Sequence, residues 1–376
     1  MQLKPFLISL NFDFPLLSNI VQLFTMDLII VNYSMNRSNL VFSHQFNTAV
    51  ALAENFENVT VFTPQSALET IPKNMTIIEV PWRKSSPAFN GIMIILKIWP
   101  FLLLHRKAIL FTHMVDVHAA LISPLAKLLG MKHYFWYAHA TNSFFLTWSS
   151  IFVTGIISST PGSCNLVFNR GKISYLNQGI DETIFPFANR TPRTFNSMIY
   201  YGRLDESKNI HLLPLVVTKL KDIGINLHLD IYGKELSHKS FKYIEDLKNT
   251  ISDQINLNDV NFSQPLQRER IAEVITRYDL FINLFSGSLD KALIEATFMG
   301  IPVVTWNVEY CYEFGTWSKG CVRQSLDFII EEVLAIVEMS EDELTVEIKR
   351  RLDLALSKHS FQGWINRVTN VLLGER

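Results

Sequence analysis

The stretch Leu280-Phe-Ile-Asn-Leu-Phe-Ser-Gly-Ser-Leu-Asp-Lys-Ala-Leu-Ile-Glu-Ala-Thr-Phe-Met-Gly-Ile-Pro-Val-Val304 decides the fold. A buried-strand run, Leu280–Leu284, enters a loop of small residues. Ala292–Phe298 reads as a helix, and Pro302–Thr305 as the next strand. Short apolar strands separated by helices indicate a parallel α/β sheet. The free amides at the start of that helix suit phosphate oxygens, and Gly287 lets the backbone approach closely. Glu295 lies among Ala292, Leu293, Ile294 and Ala296. A carboxylate in so apolar a segment is a candidate functional group, able to accept hydrogen bonds from two adjacent ribose hydroxyls.

The same alternation extends outward. Upstream lie strand candidates Met198–Tyr201, Leu227–Tyr232 and Val260–Phe262. Helical stretches fall around Leu212–Leu220, Lys239–Ile251 and Gln267–Thr276, with Phe328–Val337 and Asp342–Leu356 beyond the quoted stretch. The first strand runs into Tyr201-Gly-Arg-Leu-Asp-Glu-Ser-Lys-Asn209. Gly202 permits a tight turn, and Arg203 and Lys208 then place two cations across a strand-to-helix turn. That pair suits a diphosphate leaving group. Spacing alone favours a solvated charged turn. Pro214 falls five residues into the expected helix, where it would remove a backbone bond.

The first half alternates in the same way from Met26, with strand candidates Leu28–Val31, Val59–Phe62, Ile77–Val80, Ala108–Phe111, Tyr134–Tyr137, Ile156–Ser158 and Ile173–Leu176. Near Phe185 the pattern breaks at PFANRTPRTFN, a linker signal. Two α/β halves in series predict two Rossmann-like domains facing each other, with ligand bound at the carboxyl ends of strands in the cleft. The expected boundaries are 26–188 for the first domain and 196–358 for the second. An amphipathic helix over 360–376 is expected to pack back on the first. Residues 1–25 are interrupted by Asn11, Asp13 and Pro15 and show no clean cleavage site, so they read as an extension outside the fold.

Composition excludes several classes. The chain has 376 residues, 48% apolar and 18% charged, enough to bury a large core. Lys and Arg total 34 against 35 Asp and Glu, which argues against a dedicated nucleic-acid binder. Three scattered cysteines build neither a disulfide framework nor a zinc site, and no Asp-x-Asp or His/Cys cluster calls for a metal. A reducing, cytoplasmic setting follows. The run Ile92–Leu104 is too short to span a bilayer. It reads as a buried helix or, with His105, Arg106 and Lys107 behind it, as one lying on the inner face of a membrane.

GRLDESK and EATFMGIPVV, in that order, resemble the two C-terminal motifs of a family-4 glycosyltransferase of GT-B fold. Leu176–Phe185 (LNQGIDETIF) resembles the segment that ends the first domain in such enzymes. Tyr137-Ala-His-Ala140 resembles a first-domain strand end carrying an active-site histidine, His139. The resemblance implies a metal-independent, hexosyl-type transferase without a cofactor. It would move sugar from a nucleotide diphosphate donor to a glycan or lipid-linked acceptor, with retention of configuration. Arg203, Lys208 and His139 match catalytic positions. Gly202, Gly287, Ser288, Leu289, Asp290, Lys291 and Glu295 match the donor site. Ser43 and His44, at the start of the second element, fall on the acceptor side. One departure stands out: the family's first acidic residue is replaced by Gly287, with Asp290 or Lys291 near enough to substitute. The loop Tyr33–Asn39 also lacks the frequent Gly-Gly pair. A sugar-nucleotide epimerase of related fold and a non-catalytic sugar-nucleotide-binding subunit are the alternative readings.

Overall fold

The computed structural model describes residues 26–39, 42–83, 85–139, 141–188 and 194–375. The extension 1–25, Ala140 of the Tyr137–Ala140 motif and residues 189–193 of the linker lie outside the described residues. Among the described residues there are twelve strands: β1 (Leu28–Val31), β2 (Val59–Thr63), β3 (Met75–Glu79), β4 (Ile109–His113), β5 (His133–Trp136), β6 (Gly155–Ser158), β7 (Ile173–Tyr175), β8 (Ser197–Arg203), β9 (His228–Lys234), β10 (Val260–Ser263), β11 (Leu280–Asn283) and β12 (Val303–Thr305). They form two sheets, ordered β3-β2-β1-β4-β5-β6-β7 and β10-β9-β8-β11-β12. Pairing is parallel at β1–β2, β1–β4, β8–β9 and β8–β11. In each sheet the chain builds outward from a central strand in one direction and then the other. That is the doubly wound order, with a reversal point at β1/β4 in one and β8/β11 in the other.

The chain divides into two compact units, Met1–Tyr134 with Leu372–Arg376, and Phe135–Val371. In the first, all four residues of β1 are buried, as a parallel strand covered on both faces requires. A helix over Pro87–Leu104 turns Asn90, Ile94, Ile98 and Leu102 inward at four-residue intervals. Ile94, Ile98 and Leu102 join Ile29, Val31, Leu110 and Ile122 in one core cluster. This helix has 18 residues and begins earlier than the expected run, because Pro87 opens its first turn, where a missing N–H costs nothing.

In the second unit β8 alternates sides. Met198 and Tyr200 pack into one core cluster, Ile199 and Tyr201 into the other. Two sequence expectations change here. β8 does not end at Tyr201 but continues through Gly202, paired with Gly233 of β9, to Arg203. A side chain at Gly233 would strike the Gly202 carbonyl at 2.3 Å, so the tight approach falls between two strands rather than in a turn. Pro214 interrupts no helix. Two 3₁₀ turns, Glu206–Lys208 and Ile210–Leu212, come first, and Pro214 sits at the start of the helix Leu213–Asp222. The last helix, Phe361–Leu373, sets Trp364 edge-on to Trp136 with ring centroids 4.9 Å apart.

Candidate functional site

The reversal point of the second sheet gathers the sequence-selected residues of the C-terminal half. β8 delivers Arg203 and the 3₁₀ turn carrying Lys208. β11 delivers the loop Phe285–Asp290 and the helix Lys291–Phe298. Asn209, in the left-handed region at φ 55°, donates its amide to the Leu284 carbonyl at 2.8 Å and ties the turn to the loop. Lys208 is buried. Its Nζ donates to Asp290 Oδ2 at 2.6 Å and lies 3.6 Å from the centre of the Phe285 ring. Asp290 also accepts from Asn283 at 3.2 Å and caps its helix through the Ala292 amide at 3.3 Å. Burial pushes the Asp290 carboxyl up, but Lys208 outweighs it, with help from Asn283 and Ala292, and holds the group below the usual range.

Glu295 is buried one turn further on. Its Oε2 accepts from the Tyr201 hydroxyl at 2.8 Å and its Oε1 from Arg268 Nη1 at 3.2 Å. Burial, with the Glu295 charge next to it, pushes the Tyr201 phenol well up, so it stays a donor. Each Glu295 oxygen has one protein donor, and a carboxylate oxygen accepts two hydrogen bonds. Capacity for a pair of hydroxyls therefore remains. Burial and the neighbouring Arg268 push the Lys291 ammonium down to about 8, against the opposing pull of Glu295 and Asp290.

Gly287 has no room for a side chain. A Cβ there would meet the Phe285 ring at 2.2 Å, so that ring occupies space a side chain at 287 would need. Two anchors that sequence reading missed hold the loop. Glu309 accepts from the Leu289 amide at 2.6 Å, the Thr160 hydroxyl at 2.7 Å and the Gly162 amide at 2.7 Å. Gln178 donates to the Leu289 carbonyl at 3.0 Å. The Gln178 backbone N–H donates to His359 Nδ1 at 3.2 Å, which leaves Nε2 to donate to Glu313 at 2.9 Å. The Leu289 amide is thus engaged by protein, a correction to the expectation of a free amide there. Asp290 likewise serves as the counter-ion of Lys208.

The structure brings Lys208, Asp290, Lys291 and Glu295 together and adds Tyr201, Arg268, Asn283 and Phe285. Arg203 is 57% exposed at its side chain, with Asp205 3.6 Å from its guanidinium. His139 lies beyond β5, exposed, bridging Cys164 and edge-on to Tyr137 at 5.4 Å. Ser43 and His44 open the helix Ser43–Ala53 in the first unit, at that sheet's own reversal point. The His44 ring is 5.5 Å from that of His113, which ends β4. Between them Gln45 accepts from the Tyr33 and Ser34 amides at 2.9 and 3.0 Å and donates to the His113 carbonyl at 3.2 Å. Among the described residues no three His, Cys, Asp or Glu side chains cluster in a way that can hold a metal ion.

Solved structures share this architecture. Sucrose-phosphate synthase from Thermosynechococcus elongatus superposes with a TM-score of 0.72 at 12% identity, covering 93% of this chain and 98% of the other. Anabaena Alr3699/HepE, solved with UDP and glucose, gives 0.68 at 11% identity, with 93% and 99% covered. A glycosyltransferase from Rickettsia africae gives 0.71 at 13% identity, with 94% and 100% covered. The fold is therefore GT-B. Residues 181–315, which contain the whole Lys208–Asp290–Glu295 cluster and Glu309, match the family model of glycosyl transferases group 1. No curated protein matches the sequence.

Proposed function

We propose that this chain is a glycosyltransferase that binds a nucleotide diphosphate sugar at the β8/β11 reversal point. The carrying observation is the juxtaposition there of Lys208, Lys291 and Glu295, within the segment that matches the family model. Lys208 gives one of its three ammonium donors to Asp290 and keeps others for phosphate oxygens. Lys291 and the exposed Arg203 add charge for the departing diphosphate. Glu295, oriented by Tyr201 and Arg268, takes the ribose hydroxyls. His139 serves the reacting sugar. Following the resemblance, the transfer is metal-independent, of hexosyl type and retaining, with Ser43 and His44 on the acceptor side.

The acceptor in this reading is a glycan or a lipid-linked molecule at the cytoplasmic face of a membrane. In support, the helix Pro87–Leu104 exposes Ile92, Leu96, Leu103 and Leu104, with Lys97, Arg106 and Lys107 also exposed. A second reading, a sugar-nucleotide-binding subunit without turnover, draws on Gly287 and the Phe285 ring that fills its place.

Calorimetric titration with UDP, GDP and ADP sugars, followed by product analysis with a mixed acceptor pool, tests both readings. Binding with transfer supports the enzyme. Binding without transfer or donor hydrolysis supports the subunit. Arg203→Ala should lower turnover about 10-fold or more while the fold persists. Failure of every nucleotide to bind overturns the assignment.

A further inference from the structure

Glu309 is a carboxylate without a counter-ion, set against the loop that carries Asp290. It stands half-buried in the first turn of the helix Val308–Phe314. Its Oε2 accepts from the Leu289 amide and the Thr160 hydroxyl, and its Oε1 from the Gly162 amide. Two amides and a hydroxyl are its partners, and among the described residues no Lys or Arg pairs with it. The side chain is fixed from two directions. Asn307 caps the helix through the Tyr310 amide at 3.0 Å and donates to the Gly287 and Phe285 carbonyls at 3.0 and 3.2 Å. A Cβ at Gly162 would lie 3.0 Å from Oε1, so that loop packs directly on the carboxylate. A neutral oxygen would hold the same three donors. A carboxylate also repels a diphosphate bound nearby, so its charge calls for a reason of its own.

The order of groups along the site indicates which part of the ligand meets Glu309. In a nucleotide diphosphate sugar the ribose and the sugar lie at opposite ends of the diphosphate. Glu295, the ribose group of the proposed function, lies one turn into the helix past Lys291. The Lys208–Asp290 pair comes next, at the start of that helix. Leu289, with Glu309 on its amide, lies beyond the pair, on the side away from Glu295. Glu309 therefore falls at the sugar end. The loop after β6 leads to the same place. Gly162, held by Glu309, is two residues from Cys164, and Cys164 bridges to His139. One carboxylate thus ties the loop after β11 to the loop that continues to the His139 bridge. It has used three of about four acceptor positions, and the remaining one is on Oε1.

We propose that Glu309 reads the donor sugar. Its open Oε1 position accepts a hydroxyl of a neutral sugar, and its charge turns away a sugar that carries a carboxylate of its own. The donor class is then a neutral sugar and not a uronic acid. The inference rests on the glycosyltransferase reading of this site and adds to it a residue that sets sugar specificity.

The test is calorimetric titration of the full chain with matched pairs of donors: UDP-glucose and UDP-glucuronate, GDP-mannose and GDP-mannuronate, ADP-glucose and ADP-glucuronate. Free UDP, GDP and ADP are titrated beside them. In the wild type the neutral member of the pair that binds should be about 10-fold or more tighter than its uronate. Two variants separate charge from reach. Glu309→Gln keeps the length and loses the charge, so the preference should fall toward one, with affinity for the free diphosphate within about 2-fold of wild type. Glu309→Asp loses reach and keeps the charge, so the preference should survive, because Coulomb repulsion falls off slowly with distance. A residue that only clamps the loops gives the opposite pattern: Asp is the more damaging change, and free diphosphate, neutral donor and uronate weaken together. That pattern overturns the proposal. So does a wild type that binds the uronate as tightly as the neutral sugar, or a Gln variant with the wild-type preference. Free diphosphate binding without sugar preference strikes Glu309 alone. Absence of binding by UDP, GDP and ADP alike strikes the glycosyltransferase reading, and the inference with it.

Discussion

Lys208→Met is the most informative single change, because the Lys208–Asp290 pair serves both stability and the candidate donor site. Nζ and Oδ2 are 2.6 Å apart, and the two side chains are only 9% and 20% exposed. Removing one partner of a buried pair costs about 3–5 kcal/mol, since the other charge is left without compensation. Asp290 keeps Asn283 and the Ala292 amide, which places the expected loss near the low end, about 3 kcal/mol. The pH dependence follows from the direction of the Asp290 shift. In the wild type the carboxyl is held below its ordinary value, so its contribution is present above the unfolded value and lost as pH falls through the folded one. Without Lys208 the main downward pull is gone, and burial is opposed only by Asn283 and the Ala292 amide. The ionised form is then less well compensated at neutral pH than in the wild type, and acid relieves the difference. The stability gap between wild type and variant should therefore be widest near neutrality and shrink below about pH 4. Urea unfolding across that range measures it. In the double variant with Asp290→Asn, which keeps a cap, most of the lost stability should return. A gap that stays constant with pH, or a double variant no more stable than Lys208→Met, would refute the reasoning. Affinity for a nucleoside diphosphate should fall about 10–100-fold in Lys208→Met, since a charge-assisted bond of about 1.5–3 kcal/mol is lost.

Three further outcomes are expected. Glu309→Ala strands the Gly162 and Leu289 amides, which should cost about 2–4 kcal/mol by thermal unfolding; an unchanged midpoint would show that water replaces the carboxylate at no cost. Glu295→Gln should weaken binding of the nucleoside diphosphate itself, read by calorimetry, because the ribose contact precedes chemistry; equal affinities would remove Glu295 from the site. Lys291, pushed down to about 8, should regain its proton when a diphosphate binds beside it. Binding near pH 8 should then take up protons, seen as a heat that depends on buffer ionisation, and this uptake should vanish about two pH units lower and in Lys291→Met. Proton uptake that persists in the variant would assign it to another group.

The sequence by itself determined the alternation of elements and singled out the segments that meet at the β8/β11 reversal point. Strands buried on both faces must be apolar along their length, so β1, β4 and β11 read directly as strands. Lys208, Asp290, Lys291 and Glu295 were legible because each lies within one short segment that ends a strand or starts a helix. What the sequence did not reveal are partnerships across long separations. Lys208 meets Asp290 across 82 residues and Tyr201 meets Glu295 across 94, and Glu309 reaches back 149 residues to Thr160. Such pairs depend on sheet order and register, which no local pattern encodes. The same holds for surfaces. FFLTWSSIF is apolar enough to read as core, yet a helix has only one side against its sheet. Tertiary packing chose Leu146, Ser149 and Ser150 for that side and left Phe144 and Ile151 in solvent, because small side chains allow the close approach that Phe and Trp would block.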